Sequence, residues 1–241
     1  TEIETALNWL KEQQLSDEPG DWRIQKPELI GGGWAFQYSN YYYPDLDDTS
    51  MVAWAMYRTN NKNYSEPIQR AANWVAGMQS RGGGFSSFDI NNTHFYLNEI
   101  PSADHGALLD PPTVDVTGRA IVLLSLADKK IYAKNIKDGV DYIKAEQEED
   151  GSWFGRWGTN YIYGTWSVLT ALEISREDPQ QLYIRKAVEY FQQTQNSDGG
   201  WGESNDSYYP PKHYRPSKST AFQTAWALLS LLAVGEAKSI P

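Results

Sequence analysis

The sequence predicts an all-α fold built from helix hairpins, and three observations support this prediction. Four segments share one layout, in which a helical stretch with an aromatic residue leads through Gln to a turn with Gly and then usually to Trp. A second, apolar helical stretch rich in small residues follows each turn, and alternating strand patterns are scarce. Repeats of this kind predict amphipathic outer helices paired with largely buried inner helices.

Each helix of the predicted hairpins can be placed on the sequence. The repeat segments that hold the outer helices and their turns are 6–22, 71–85, 139–153 and 187–201. The inner helices are predicted at 47–59, 115–128, 163–174 and 219–234. In each repeat we expect the Gln amide to stack on the Trp indole and to hydrogen-bond with it. This contact would tie the end of an outer helix to the next element.

The number of helix pairs bears on the completeness of the fold. An α/α toroid, such as an α6–α6 barrel, closes only when its helix pairs complete a ring, and this sequence predicts four pairs. We therefore expect residues 1–241 to form a single, incomplete α/α-barrel domain that is a fragment of a larger protein. The start at Thr1, without an initiator Met, is consistent with a processed or internal boundary.

Composition and charge exclude several classes of function. The formal net charge is −10, from 21 Lys and Arg against 31 Asp and Glu without a basic run, so we expect no nucleic-acid partner. The absence of cysteine excludes disulfides, thiolate zinc sites and a cysteine nucleophile. The longest apolar run, 226–234, is too short to span a bilayer. The opening TEIETALNWL is typical of an amphipathic helix rather than a signal peptide.

Three carboxylates follow an aromatic run in the stretch YYYPDLDDTS, residues 41–50. Asp45, Asp47 and Asp48 either cap the following helix and face water, or are held together for chemistry. Among paired carboxyls one can stay protonated beside an ionised neighbour, and N–H groups at a helix start stabilise the conjugate base. A calcium loop is excluded, because the sixth and twelfth positions lack the required Gly and Glu.

The residues around these aspartates resemble a known enzyme family. Together with the Gln–Gly–Trp repeats, three segments are similar to squalene–hopene cyclases and related bacterial class II triterpene cyclases: GGGWAFQYSNYYYPDLDDTSMVAWAM (31–56), DPPTVDVTGRA (110–120) and DGSWFGRWGTNYIYGTW (150–166). The likeness covers essentially the whole chain. It implies a longer enzyme with two α-barrel domains, of which this chain resembles most of the acid-bearing one. It also implies peripheral, monotopic attachment of the full-length enzyme to the bacterial cytoplasmic membrane, with the fragment itself soluble.

The resemblance implies a role for each candidate site residue. Asp47 matches the proton donor, and Asp45 and Asp48 match the residues that hold and tune it. The aromatic residues whose faces would stabilise the cation or form the cavity wall are Phe36, Phe88, Trp157 and Tyr163. Tyr163 matches a position close to the acid. Without the resemblance, Phe36 and Trp157 would be interpreted as core residues.

One position near the acid departs from the family pattern. In the best-known squalene–hopene cyclases a His in the segment DPP…DVT hydrogen-bonds the acid cluster, and here this position is Arg119. A permanently charged guanidinium would hold a neighbouring carboxylate ionised. Two interpretations of Arg119 stand equally. It acts in this way on Asp45, which would leave Asp47 as the protonated partner, or it forms an ion pair with Asp115, one helical turn earlier.

Three further positions differ from the family pattern. Phe88 stands where the family often has Tyr, a change that keeps the ring and removes a hydroxyl. Ser102 and His105 stand where the family can carry aromatic residues. We therefore expect the lipid entrance to differ from that of the best-known members.

These observations predict part of a squalene–hopene cyclase-like isomerase, which protonates a linear polyprene and drives cationic polycyclisation to hopanoid-type products. Squalene and tetraprenyl-β-curcumene, the substrate of related sesquarterpene cyclases, are both open as substrates. A protein prenyltransferase β-subunit has a similar toroid but needs a Cys ligand for zinc, and a non-catalytic lipid-binding domain is a third alternative. We expect no metal or organic cofactor. The expected partners are a membrane surface, a second barrel domain and, in a homodimer, a second copy. The isolated chain is expected to be inactive.

Overall fold

The computed structural model describes residues 1–16, 20–94, 96–97, 100 and 109–236. Within these residues it contains eight α-helices, which are α1 (Glu2–Glu12), α2 (Leu46–Arg58), α3 (Ser65–Gly77), α4 (Val114–Asp128), α5 (Ala133–Ala145), α6 (Tyr161–Ser175), α7 (Leu182–Thr194) and α8 (Ala221–Ala233). Two short strands, β1 (Trp34–Ala35) and β2 (Pro44–Asp45), pair antiparallel, and the pairing sets Trp34 opposite Asp45. The predicted all-α architecture of helix pairs is confirmed.

The inner helices lie close to their predicted positions. α2, α4, α6 and α8 start within two residues of the predicted starts and end within one residue of the predicted ends. α6 is apolar nearly all round, and eleven of its fifteen residues are buried. Among the helices of the described ranges, none is long and apolar enough to cross a bilayer.

The chain folds into two compact units. The first contains the described residues of Thr1–Pro112 and Arg119–Gly139, and in it α2 packs against α3. The second contains Thr113–Gly118 and the described residues from Val140 onward, and in it α6 and α7 pack against α8. Two helices are divided between the units. The start of α4 belongs to the second unit and the rest of α4 to the first, whereas the start of α5 belongs to the first unit and its end to the second.

Glutamine residues at the ends of outer helices tie neighbouring outer helices together. In the second unit the Gln147 side-chain amide donates to the carbonyls of Gly151, at 2.9 Å, and of Tyr183, at 2.7 Å. The first carbonyl belongs to the turn after α5 and the second to the first turn of α7. In the first unit Gln79 donates in the same way to the carbonyls of Gly83 and Asn135. The end of each of these outer helices is therefore tied by its Gln, but through backbone carbonyls and not through the predicted contact with Trp.

Tryptophan indoles use a different partner from the one predicted. Trp153 Nε1 donates to the Ile143 carbonyl at 2.8 Å, and Trp201 Nε1 donates to the Phe191 carbonyl at 2.9 Å. The prediction that Gln and Trp hydrogen-bond with each other was wrong, because the single indole N–H donates to the backbone of the preceding outer helix.

The first repeat has its Trp further along the chain than predicted. Trp34 Nε1 donates to the Leu10 carbonyl at 2.6 Å, and its backbone N–H donates to Thr49 Oγ1 at 2.8 Å. The Trp153 backbone N–H donates to Thr165 in the same way. The predicted segment 6–22 ends on Trp22 as the Trp of the first repeat, and this prediction was wrong, because an insertion separates the Gln of the first repeat from its Trp.

Candidate active site

Asp45 ends β2 and caps the N-terminus of α2. Its backbone is extended, with φ −107° and ψ 133°, and its Oδ1 accepts the N–H of Asp48 at 2.8 Å. The first N–H groups of a helix lack partners within it, so a short carboxylate at this position is a favourable acceptor. Asp45 is only 6% exposed. It therefore caps the helix as the simpler interpretation expects, but it does not face water.

Asp47, in the first turn of α2, forms an ion pair with Arg119. Arg119 Nε lies 3.3 Å from Asp47 Oδ1, and the two side chains are 13% and 29% exposed. Arg119 comes from the middle of α4, so this contact joins two inner helices within the first unit. The guanidinium partly balances the negative charge of Asp47 and of the neighbouring Asp48.

The carboxyls of this cluster titrate differently from free aspartate. Burial raises the pKa of Asp45 to about 7; the charges of Asp48 and Asp47 add to the rise, and the Asp48 N–H opposes it. Burial also raises the pKa of Asp48, where the charge of Arg119 opposes the rise. The expectation that Arg119 would hold Asp45 ionised was wrong, since Arg119 pairs with Asp47 and Asp45 keeps its proton up to near-neutral pH.

A short chain of hydrogen bonds fixes the backbone beside the cluster. The Leu46 N–H donates to the Ser87 carbonyl at 2.8 Å, and the Ser87 N–H donates to Asp110 Oδ2 at 2.7 Å. Asp110 is buried. It thereby fixes the segment that leads directly into Phe88. The sequence contained a signal for Asp110, the acid that opens the DPP segment, but no role was assigned to it.

The two candidate aromatic residues of the first unit differ in exposure. Phe36 follows β1 directly, and its side chain is 67% exposed. Phe88 is half-buried next to Ser87. Phe36 is therefore not a core residue, although it would be interpreted as one without the resemblance to the family. Its ring is accessible from solvent.

Trp157 lies on a loop of the second unit that Asp115 holds by its backbone. Asp115 Oδ2 accepts the N–H groups of Arg156, at 3.0 Å, and Trp157, at 2.9 Å, while Oδ1 accepts the N–H of Val116 at 3.1 Å. Asp115 is fully buried, whereas Trp157 is 50% exposed. The carboxylate thus positions the predicted aromatic residue, a role that the sequence did not reveal, and Trp157 is not a core residue.

Tyr163 belongs to an aromatic cluster of α6 and α8. Its ring centroid lies 5.2 Å from that of Trp226 and 5.9 Å from that of Trp166, and the two Trp rings stack at 5.6 Å. Tyr163 is buried. Offset and tilted aromatic pairs of this kind pack favourably and restrict the ring orientation.

The structure thus places the predicted site residues in two groups. Asp45, Asp47, Asp48 and Arg119 come together in the first unit, which also holds Phe36 and Phe88, while Asp115, Trp157 and Tyr163 belong to the second. Within the described ranges, no group of three or more His, Asp or Glu side chains is placed to bind a metal ion. Ser102 and His105 lie outside the described residues.

Comparison with solved structures defines the class of fold. The chain is similar to the type II terpene cyclase MstE from Scytonema. A variant of MstE in complex with geranylgeranyl dihydroxybenzoate gives a TM-score of 0.59 at 19% identity, with 99% of this chain and 60% of the other covered. The apo form gives a TM-score of 0.56 at 19% identity, with 91% and 59% covered. This likeness confirms the predicted α/α fold class.

The family follows from sequence comparison. A family model described as the squalene-hopene cyclase C-terminal domain matches residues 1–240, and the chain belongs to this family. The squalene–hopene cyclase of Zymomonas mobilis is 54% identical over 241 residues, which cover 98% of this chain and 37% of the relative. That of Bradyrhizobium diazoefficiens is 49% identical over 237 residues, which cover 96% of this chain and 36% of the relative. The chain thus spans little more than a third of these relatives, and the family predicted from its motifs is confirmed.

Proposed function

We propose that this chain is the acid-bearing domain of a class II terpene cyclase that protonates a linear polyprene and drives its polycyclisation. The acid cluster of the first unit carries this proposal. It combines a buried carboxyl whose pKa is raised to about 7 with a neighbouring carboxylate that is paired with arginine. The cluster therefore holds a proton on Asp45 near neutral pH, and the arginine beside Asp47 stabilises the conjugate base that proton transfer to a hydrocarbon leaves behind.

The proposed first step is proton transfer to a terminal trisubstituted alkene. The carboxyl O–H bond breaks, the π pair of the alkene forms the new C–H bond, and a tertiary carbocation remains on the neighbouring carbon. Successive π bonds then attack the cation and close the rings. Loss of a proton, or addition of water, ends the sequence. When a proton is lost, the product is an isomer of the substrate.

Within the cluster, we assign proton delivery to Asp47, which receives the proton that Asp45 retains and passes it to the alkene. Asp45 is buried and used as the cap of α2, whereas the Asp47 side chain is 29% exposed. The Arg119 guanidinium stabilises the carboxylate that remains once the proton has left. Asp45 supplies the retained proton that reprotonates Asp47 after each turnover, and Asp48 contributes negative charge to the cluster.

Aromatic faces are proposed to stabilise the cation as it forms. Each desolvated contact between a cation and an aromatic face contributes about 0.5–2 kcal/mol. Phe36 and Trp157 support this role, because both side chains are at least half exposed. Phe88 and Tyr163 are assigned the same role, and both are held in place, by the backbone bonds of Ser87 and by the ring cluster of Tyr163.

Squalene is the proposed substrate, since relatives that are 54% and 49% identical to this chain carry the name squalene–hopene cyclase. We propose that the full-length protein adds a second α-barrel domain, attaches peripherally to the bacterial cytoplasmic membrane to collect its substrate, and can form a homodimer. Tetraprenyl-β-curcumene is the competing substrate. Incubation of the full-length protein with each lipid separately distinguishes the two by their cyclic products.

An isotope experiment tests the proposed step. The full-length protein is incubated with squalene in D2O. The products are separated by gas chromatography, and their masses are determined by mass spectrometry. The proposal predicts polycyclic product with a carbon-bound deuterium from the acid cluster. Recovery of unreacted squalene, with squalene still bound, would indicate a non-catalytic lipid-binding domain instead.

A further inference from the structure

A buried carboxylate outside the acid cluster lies against the N-terminus of α6. Glu203 Oε2 accepts the N–H groups of Asn160, at 2.9 Å, and Ile162, at 3.1 Å, and Oε1 accepts that of Tyr161 at 3.1 Å. Glu203 is only 6% exposed. Burial raises the pKa of Glu203, and the three backbone N–H groups oppose this rise. Burying the Glu203 carboxyl therefore costs desolvation free energy. The proposed protonation of the substrate does not involve Glu203 and does not explain why this carboxyl is buried.

This arrangement replaces the usual cap of the helix. The N-cap residue of α6, Asn160, has φ −129° and ψ −73° and makes no side-chain capping bond. A carboxylate from elsewhere in the chain therefore satisfies the N–H groups that the helix leaves open, and its charge is favourable at the positive end of the helix dipole.

Residues 203–208, which we name the clamp segment, hold the preceding loop as well. The Tyr208 hydroxyl lies 2.9 Å from the Arg156 carbonyl and 2.5 Å from the Gly158 carbonyl. Thr159 Oγ1 donates to Asn205 Oδ1 at 2.6 Å. The clamp segment thus contacts both the loop that carries Trp157 and the first turn of α6.

The clamp segment is itself anchored to α8. Gln223 Oε1 accepts the Glu203 N–H at 3.1 Å, and Gln223 Nε2 donates to the Glu203 carbonyl at 3.2 Å. Both backbone groups of Glu203 are therefore fixed by one side chain. Because Gln223 of α8 fixes the backbone of Glu203, the Glu203 carboxylate meets the N-terminus of α6 from a fixed position.

The clamped loop packs directly on Tyr163. A Cβ atom at Gly155 would lie 2.7 Å from Tyr163 Cδ1, and one at Gly158 would meet the same ring even more closely. The glycines let the loop backbone lie against the face of the tyrosine. Any shift of the loop or of the first turn of α6 would therefore move Tyr163, and Trp157 lies on the same loop.

We propose that Glu203 is a positioning residue for the cyclisation, which sets the places of Trp157 and Tyr163 through the backbone of the loop and the α6 N-terminus. This inference rests on the proposed function. Glu203 itself does not contact the substrate. Its effect is on the fidelity of ring closure, because a cation that meets displaced aromatic residues is quenched early, before all rings have closed.

The test uses Glu203→Gln in the full-length protein, with squalene as substrate. The amide keeps the shape but replaces one acceptor oxygen with a donor, so at least one N–H of α6 loses its partner. We expect kcat per folded molecule to fall roughly tenfold, with KM changed less than about threefold, and the share of partly cyclised products to rise. Ile184→Val in α7 is the matched control, since it loosens packing in the same unit without touching the loop, and we expect it to leave the product ratio unchanged.

The outcomes are separable. If wild type cyclises squalene and Glu203→Gln gives the wild-type product ratio and kcat, the role of Glu203 is overturned while the proposed function stands. If wild type gives no cyclic product, the proposed function fails and this inference fails with it. If Glu203→Gln does not fold, Tyr208→Phe replaces it, because it removes only the hydroxyl of the clamp segment. Increased early-terminated product supports the proposal, and an unchanged ratio contradicts it.

Discussion

The Arg119 guanidinium forms an ion pair with Asp47, with Nε 3.3 Å from Oδ1, in a cluster that contains two further carboxyls. A half-buried pair of this kind does little for stability on balance, because desolvation offsets the attraction. We propose that its value lies in chemistry, because a fixed positive charge would stabilise the carboxylate that a departing proton leaves behind.

Loss of the arginine charge is expected to slow cyclisation. Arg119→Gln leaves the carboxyls of the cluster without a compensating cation, so they hold their protons more tightly. In the wild type the charge of Arg119 lowers the pKa of Asp48, and the pKa of Asp48 therefore rises when this charge is removed. We expect the rate of squalene consumption by the full-length protein to fall roughly tenfold to hundredfold. Arg185→Gln, which removes the remote ion pair with Glu236, is the control. A wild-type rate in Arg119→Gln would show that the ion pair has no part in proton delivery.

The raised pKa of Asp45 predicts a pH-dependent stability. Its folded-state pKa of about 7 lies above the ordinary 3.8, so between these values the folded protein binds more protons than the unfolded chain. Stability from this group is therefore fully present below pH 4 and is lost as the pH rises through 7. Asp45→Asn keeps a capping side chain but does not titrate.

Thermal unfolding of wild type and Asp45→Asn between pH 5 and pH 8 checks this. We expect the variant to gain stability relative to wild type as the pH rises, by about 1–4 kcal/mol over the range. A difference that stays constant with pH would mean that Asp45 is ionised throughout and that the cluster does not retain its proton there.

The glutamine ties predict a graded loss of stability. Gln147→Ala leaves the Gly151 and Tyr183 carbonyls without their side-chain donor, which we expect to cost about 1–3 kcal/mol in the free energy of unfolding. Gln195→Ala is the matched control, because its amide donates to the Gly199 carbonyl at an exposed position. Equal losses in denaturant unfolding would argue against the tie between α5 and α7.

Two turn glycines separate backbone strain from steric contact. Gly151 and Gly199 both have positive φ, +90° and +83°, but a Cβ at Gly151 would lie 2.5 Å from the Lys186 carbonyl oxygen, whereas one at Gly199 meets nothing within 4 Å. We expect Gly199→Ala to cost about 1 kcal/mol from backbone strain. Gly151→Ala should cost a further 1–3 kcal/mol or so from overpacking. Identical midpoints in urea unfolding would contradict the packing of this turn against α7.

Local signals in the sequence predicted the helices well. Apolar periodicity placed the inner helix α2 at 47–59, and the structure has it at Leu46–Arg58, since the Asp45 cap and the apolar pattern agree. The insertion in the first repeat hid the Trp of that repeat, which is Trp34 rather than Trp22. Spacing alone does not locate a repeat residue when the connecting loop has grown.

Long-range contacts of the site were not predictable from periodicity. The motif identified Asp45, Asp47 and Asp48, but the contact of Arg119 with Asp47 depends on how α4 packs, which no local pattern encodes. Glu203 lies more than forty residues from the N–H groups it accepts, in a segment whose sequence is typical of a turn. Buried carboxylates that bind backbone donors follow from tertiary structure and have no sequence period.

Product formation by Asp47→Asn in the full-length protein is the most direct test of proton donation by the acid cluster. The asparagine keeps the size of the side chain and cannot donate a carboxyl proton, so squalene should be bound but recovered unchanged, with polycyclic product lowered at least about a thousandfold. Circular dichroism of the variant should match wild type. Polycyclic product at the wild-type rate from a folded Asp47→Asn protein would contradict the assignment of Asp47 as the acid.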